Sequence, residues 1–220
     1  MSTILVIAPH PDDETLGCGG TLLRHISEGD DVHWLIVTSM DSSIFTSEQM
    51  SFREKEIKQV NEMYGFTSVT QLGYPASCLD QVPTNDIVQK LSDAIKKINP
   101  HTIYTVFRND AHSDHQVVFD SLMSATKSFR NPEIKKIMSF ETLSETDFSN
   151  PLKNGFRPNI FINIEDFLQR KLEILSVFDS EMGDFPFPRS SEAIKSLASI
   201  RGVQASSKAA EAFILIKEIK

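Results

Sequence analysis

Between positions 9 and 14 the chain reads Pro9-His10-Pro11-Asp12-Asp13-Glu14, an imidazole and three carboxylates within five residues. Borderline-soft zinc accepts imidazole nitrogen and carboxylate oxygen together, so His10 and Asp13 are candidate ligands of one ion. Two ligands do not complete a site. A third comes from His112-Ser113-Asp114-His115, where two histidines three residues apart lie on one face of a starting helix. A set of His10, Asp13 and His115 leaves a position open for water, the arrangement of catalytic rather than structural zinc. A metal so held lowers the pKa of water toward roughly 7. Asp12, adjacent to a ligand but itself free, is then the expected general base. His112, if it is not a ligand, is expected to donate to a tetrahedral oxyanion or to the leaving nitrogen, with Asp114 holding its tautomer and orientation. The chemistry is metal-assisted hydrolysis, with zinc or another divalent transition metal as cofactor.

For these residues to meet, two loops about a hundred positions apart must converge. Ile4 to Ala8 is a continuous apolar run ended by Pro9, the pattern of a strand buried on both faces of a parallel sheet. A helix from Thr15 to Ser27 and a second apolar run from Val32 to Thr38 complete a βαβ unit. The alternation continues with helices near 47–64 and 85–98, strands near 68–72 and 102–107, a helix from about 116 to 129 and a strand at 134–141. The last third predicts a strand at 159–164, helices at 165–178 and 191–199, and an apolar tail at 210–216 that either returns to the sheet or continues as helix. The predicted fold is α/β: a Rossmann-like three-layer sandwich with a mostly parallel sheet and the active site beyond the C-terminal ends of its strands. At 220 residues and 40% hydrophobic content, residues 1–220 are read as a single domain.

Together these residues resemble the PIG-L or LmbE-like N-acetylglucosaminyl deacetylases. The resemblance rests on Ala8 through Glu14 followed by Leu16-Gly17-Cys18-Gly19-Gly20, on His112-Ser113-Asp114-His115, and on Arg201-Gly202 with Ala210-Glu211-Ala212-Phe213. It implies His10, Asp13 and His115 as zinc ligands, Asp12 as base and His112 as electrostatic or acid catalyst, and it supplies the substrate class, a small N-acetylated sugar or sugar conjugate. Arg53, which opens Arg53-Glu54-Lys55-Glu56, is similar to a family feature near the substrate pocket and is carried over as substrate-binding. Ser113 stands where many members have proline, which leaves the loop carrying His112 less rigid. Metal-site spacing alone does not separate an acetylated sugar from another small amide, so a different zinc hydrolase and a non-catalytic metal-binding regulator are the alternatives.

Other readings of the same residues are weaker. An Asp12-Asp13 pair after a first strand also suits a phosphorylated receiver domain, but Gln71-Leu72-Gly73-Tyr74 at the end of the third strand offers no phosphoacceptor carboxylate, and magnesium favours oxygen ligands. The glycines at 17, 19 and 20 miss the third position of a dinucleotide loop, where Leu22 stands, and fit close helix-to-sheet packing instead. Cys18 on an apolar helix face is expected to be an inert core thiol, and neither cysteine is expected in a disulfide. His25, His33 and His101 lie outside both motif loops. Glu14 is either a second-shell partner or a favourable charge at a helix start. The segment Asp184 to Arg189 is either a packed surface loop or a substrate rim.

A formal charge of −8 from 22 basic and 30 acidic residues disfavours a nucleic acid partner. No stretch reaches the roughly 20 apolar residues of a membrane span, and the apolar run at Ile4 to Ala8 is too short for a signal-peptide core, so no leader and a cytoplasmic protein are expected. Self-association through the apolar tail is left open.

Overall fold

The computed structural model describes residues 1–220. Its centre is β1 (Thr3–Ala8), flanked by β2 (Asp31–Ser39) and β4 (Thr102–Thr105). With β3 (Ser68–Pro75), β5 (Lys136–Phe140), β6 (Ile160–Asn163) and β7 (Ala210–Glu218) these strands form one sheet of order β3-β2-β1-β4-β5-β7-β6. The first five run parallel, and β7 is antiparallel to both its neighbours. The apolar tail therefore returns to the sheet, inserted between β5 and β6.

Alternation along β1 divides the core between the two sheet faces. Ile4, Val6 and Ala8 pack with Trp34, Tyr104 and Phe140 on one face, under α1 (Asp13–Ser27), α2 (Ser47–Tyr64) and α5 (Leu168–Leu175). Leu5 and Ile7 pack on the other, under α3 (Thr84–Ile98) and α4 (Ser113–Ala125). A sixth helix, α6 (Ser191–Ala205), lies against β6 and β7 through Ala198 and its neighbours Ile164 and Ala209. This is the three-layer α/β sandwich expected from the alternation. No helix is long and apolar enough to cross a membrane.

Helix α1 starts two residues earlier than periodicity predicts and is kinked at Cys18, whose φ of −141° is not helical. The kink frees backbone groups that must be paired elsewhere. Glu211 on β7 accepts from Gly20 N at 2.9 Å and Thr21 N at 2.7 Å. Lys171 on α5 donates to Leu16 O at 2.8 Å and to Glu211 at 2.7 Å. A buried ion pair from two distant elements thus replaces the missing turn. The glycines serve close approach: a Cβ on Gly17 would lie 2.0 Å from the Phe140 ring, and one on Gly20 would lie 2.7 Å from Ile164.

Candidate metal centre and active site

In the sheet order, β2 and β3 lie to one side of β1, and β4 and β5 to the other. The loops that leave β1 and β4 therefore diverge at a topological switch point, which opens a crevice at their C-terminal ends. Pro9 to Asp12 form one wall and Val106 to His112 the other.

The crevice brings His10, Asp13 and His115 together, one ligand atom from each lying within 4.8 Å of the others. Asp13 is the hinge of the cluster. Its Oδ2 lies 3.3 Å from His10 Nδ1 and accepts from His10 N at 2.9 Å, and its Oδ1 lies 3.3 Å from His115 Nε2. Both imidazoles are braced from behind: His10 Nε2 meets Asp114 Oδ2 at 2.9 Å, and His115 Nδ1 meets Asp110 Oδ2 at 2.8 Å. Carboxylates on the far nitrogen fix the ring and its tautomer, as they do for metal-binding histidines generally. Asp110 is in turn held by the Thr146 hydroxyl at 2.6 Å.

The donor set fits a cation. His115 Nε2 is buried, 3.3 Å from Asp13 Oδ1, and makes no hydrogen bond, an arrangement that is costly for a polar atom unless a cation binds between the two. A second trio, His10, His112 and Asp114, is equally close, but its donors are committed. Asp114 accepts from Ser77 N at 2.7 Å and Leu79 N at 3.1 Å, and His112 Nδ1 accepts from Asp114 N at 3.1 Å.

Burial pushes both ligand histidines down, but the surrounding carboxylates outweigh it. Hydrogen bonds to Asp114 and Asp13 raise His10 to about 9, and Asp13 and Asp110 raise His115 to about 10. Asp13, although burial acts to raise it, is held well below the usual carboxylate range by His115 and His10. A metal entering here displaces protons from the imidazoles, because only the neutral ring is a ligand.

Asp12 sits beside this cluster with φ at 129°, a backbone region that residues with a side chain rarely adopt. Glu14 supports the strained turn: it is fully buried, accepts from Asp12 N at 3.1 Å and is held by the Thr15 hydroxyl at 2.6 Å. Its place is thus beneath the base. Burial raises Asp12 to about 7 against the opposing pull of Arg189, and raises Glu14 to about 8. Arg189 Nη1 donates to Asp12 Oδ2 at 2.8 Å and leaves Oδ1 outside that pair.

His112 is the N-cap of α4, its ring centroid 4.5 Å from that of His10 and 5.6 Å from that of His115. Asp114 orients it, but through the main chain rather than the carboxylate. The Asp114 carboxylate braces His10, and its nearest approach to His112 Nδ1 is 4.0 Å. What orients His112 is the backbone N–H of Asp114, since the cap geometry turns that N–H toward the ring. Because Nδ1 accepts, the neutral ring carries its proton on Nε2. Burial, reinforced by His10, lowers His112 to about 4, so the neutral form is the one present at pH 7.

A cavity of about 550 Å³ opens over His10, Asp12 and His112. Arg53 lines it, and its guanidinium is occupied: Nε lies 3.2 Å from Glu56, Nη1 donates to Pro11 O, and Nη2 meets Glu181 and Ser180. Asp110, Arg189 and Glu181 are site residues that sequence reasoning did not single out. Asp110 stands five residues before His115, but only folding shows that the two side chains meet. Arg189 ends the Pro-rich loop, and its contact with Asp12 spans 177 positions, beyond the reach of any local signal.

A family model described as PIG-L: GlcNAc-PI de-N-acetylase matches residues 5–126, more than half the chain and both motif loops. The uncharacterized deacetylase YaiS of Escherichia coli (strain K12) is 29% identical over 178 residues, 78% of this chain and 88% of that protein. A probable N-acetyl-alpha-D-glucosaminyl L-malate deacetylase 2 of Bacillus anthracis is 22% identical over 188 residues, 81% of this chain and 80% of that protein. Among solved structures, the N,N'-diacetylchitobiose deacetylase of Pyrococcus horikoshii superposes with a TM-score of 0.77 at 19% identity, covering 97% of this chain and 83% of that one; at that identity the likeness is one of fold.

Proposed function

Since this chain belongs to the PIG-L de-N-acetylase family, we propose that it hydrolyses the N-acetyl group of an N-acetylglucosamine-type sugar or conjugate, with zinc as the metal. The products are acetate and a free amine. The observation that carries the metal assignment is the buried, unpartnered Nε2 of His115 facing Asp13 beside His10. These three residues would hold the ion, and Asp114 and Asp110 would orient the two imidazoles. When bound, zinc supplies Lewis acidity toward an amide carbonyl and makes hydroxide accessible near neutral pH.

The chain's own groups do the rest. Asp12 takes the proton from the attacking water through Oδ1, the oxygen that Arg189 leaves free. A divalent ion at the neighbouring ligands would draw the Asp12 pKa below its value near 7, keeping it ionised. His112, neutral and protonated on Nε2, donates a hydrogen bond toward charge developing on the carbonyl oxygen. As the C–N bond breaks, the proton held by Asp12 passes to the departing nitrogen, so that it leaves as an amine. Arg53 shapes the wall on which the sugar rests.

Residues 1–220 are read as one deacetylase domain, supported by a single sheet running from Thr3 to Glu218. Two free cysteines support a reducing, cytoplasmic setting. The test is a panel of N-acetylated sugars and simple N-acetyl amides assayed for acetate and primary amine. The expected result is equal release of both from N-acetylglucosaminides. Cleavage confined to non-sugar amides would overturn the substrate class.

A further inference from the structure

The cavity carries a charge pattern that bears on what is attached to the sugar. Arg53 and Arg189 are the only arginine or lysine side chains that line it, and both are already paired with protein carboxylates. Arg53 is held by Glu56, Glu181, Ser180 and the Pro11 carbonyl. Arg189 binds Asp12 at 2.8 Å, Glu181 at 3.0 Å and Ser144 at 2.9 Å, with Glu145 at 3.5 Å. Four carboxylates thus surround two guanidiniums, and Glu54 adds a further acid to the lining. An incoming carboxylate or phosphate would compete with these protein carboxylates for the guanidiniums and meet their negative charge in the same cavity. An anion drawn to the metal ligands instead would compete with the amide.

Part of the lining is apolar. Met40, Phe45, Met50 and Ile57 present thioether, ring and branched alkyl surface. Apolar side chains lining a pocket bind the apolar parts of a ligand.

Resting on the deacetylase reading, we propose that the substrate is an uncharged N-acetylglucosaminide whose aglycone lays an apolar face on the wall of Met40, Phe45 and Met50, and that anionic conjugates are poor substrates. The preference is set by committed arginines and by that wall together.

The experiment compares, on the zinc-loaded full chain, octyl N-acetylglucosaminide (both anomers), N-acetylglucosamine itself and N-acetylglucosamine 1-phosphate. The expected kcat/KM for the octyl glycoside exceeds that for the phosphate by roughly tenfold or more, about 1.4 kcal/mol. Met50→Lys, which adds an uncompensated cation to the wall, is expected to narrow or invert that ratio, with folding checked by the unchanged thermal transition. A phosphate hydrolysed as well as or better than the octyl glycoside overturns the proposal. Should none be hydrolysed, the deacetylase reading falls, and calorimetric Kd values for the same compounds decide this one separately: tighter binding of the phosphate overturns it, and tighter binding of the octyl glycoside upholds it.

Discussion

At Asp12 three constraints meet: a strained backbone, a buried carboxylate and a guanidinium that holds one of its two oxygens. Such strain persists only where neighbours over-determine it, here through Glu14. Replacing the carboxylate removes the base without touching a ligand, so Asp12→Ala is expected to keep its metal and lose about 10²- to 10⁴-fold in kcat; elemental analysis beside acetate release checks both halves. His115→Ala should lose the metal and His112→Ala should keep it, and the reverse pattern would exchange their roles. Asp110→Ala keeps every ligand but frees the His115 ring, and metal affinity is expected to weaken by about 10- to 100-fold in a competition titration. The ligand residue types and their spacing were legible in the sequence because histidine and aspartate clusters announce metal chemistry. Which atom each side chain offers was not. Asp114 has the right spacing to serve His112, but the N-cap geometry of α4 turns its carboxylate to His10 and leaves only its N–H for the neighbouring ring.

Among the elements, α1 joins the site to the core, since Asp13 and Glu14 begin it and Cys18 kinks it. The kink is held by Lys171 and Glu211, both nearly inaccessible to solvent. Removing the lysine leaves a buried carboxylate unpaired, so Lys171→Ala is expected to cost about 3–5 kcal/mol in chemical denaturation. Gly17→Ala forces a methyl into Phe140, and overpacking of this kind costs roughly 1–3 kcal/mol. Burial pushes the Cys18 thiol well above its ordinary value, so native protein should react with a thiol reagent at Cys78 alone, and a second fast-reacting thiol would contradict the packing. Strand and helix types could be read from the sequence because the apolar runs are long and the punctuation is clear: Gly65 in left-handed conformation ends α2, and Asn99 ends α3. Boundaries and the kink could not, because Glu211, which caps the broken turn, lies 191 positions from the glycine it serves.

For the whole molecule, the decisive feature is the strand order that puts β1 beside β4 and so brings loops a hundred residues apart to one crevice. Alternating strands and helices imply such a switch point in general terms; its position between these two strands is a property of the assembled sheet. Because the ligands come from both sides of the switch, metal binding ties the halves together and stabilises the native state by mass action, about 2.7 kcal/mol at a hundredfold excess over Kd. A chelator should therefore lower the Tm of the wild-type chain and leave that of His115→Ala unmoved. The most direct measurement titrates zinc into chelator-treated protein while acetate release from an N-acetylglucosaminide is followed. Activity is expected to rise from near zero to a plateau at one equivalent per chain, and to stay absent in His115→Ala. Full activity before any zinc is added, or a His115→Ala protein that responds to zinc as the wild type does, would contradict the assignment of His10, Asp13 and His115 as the metal centre.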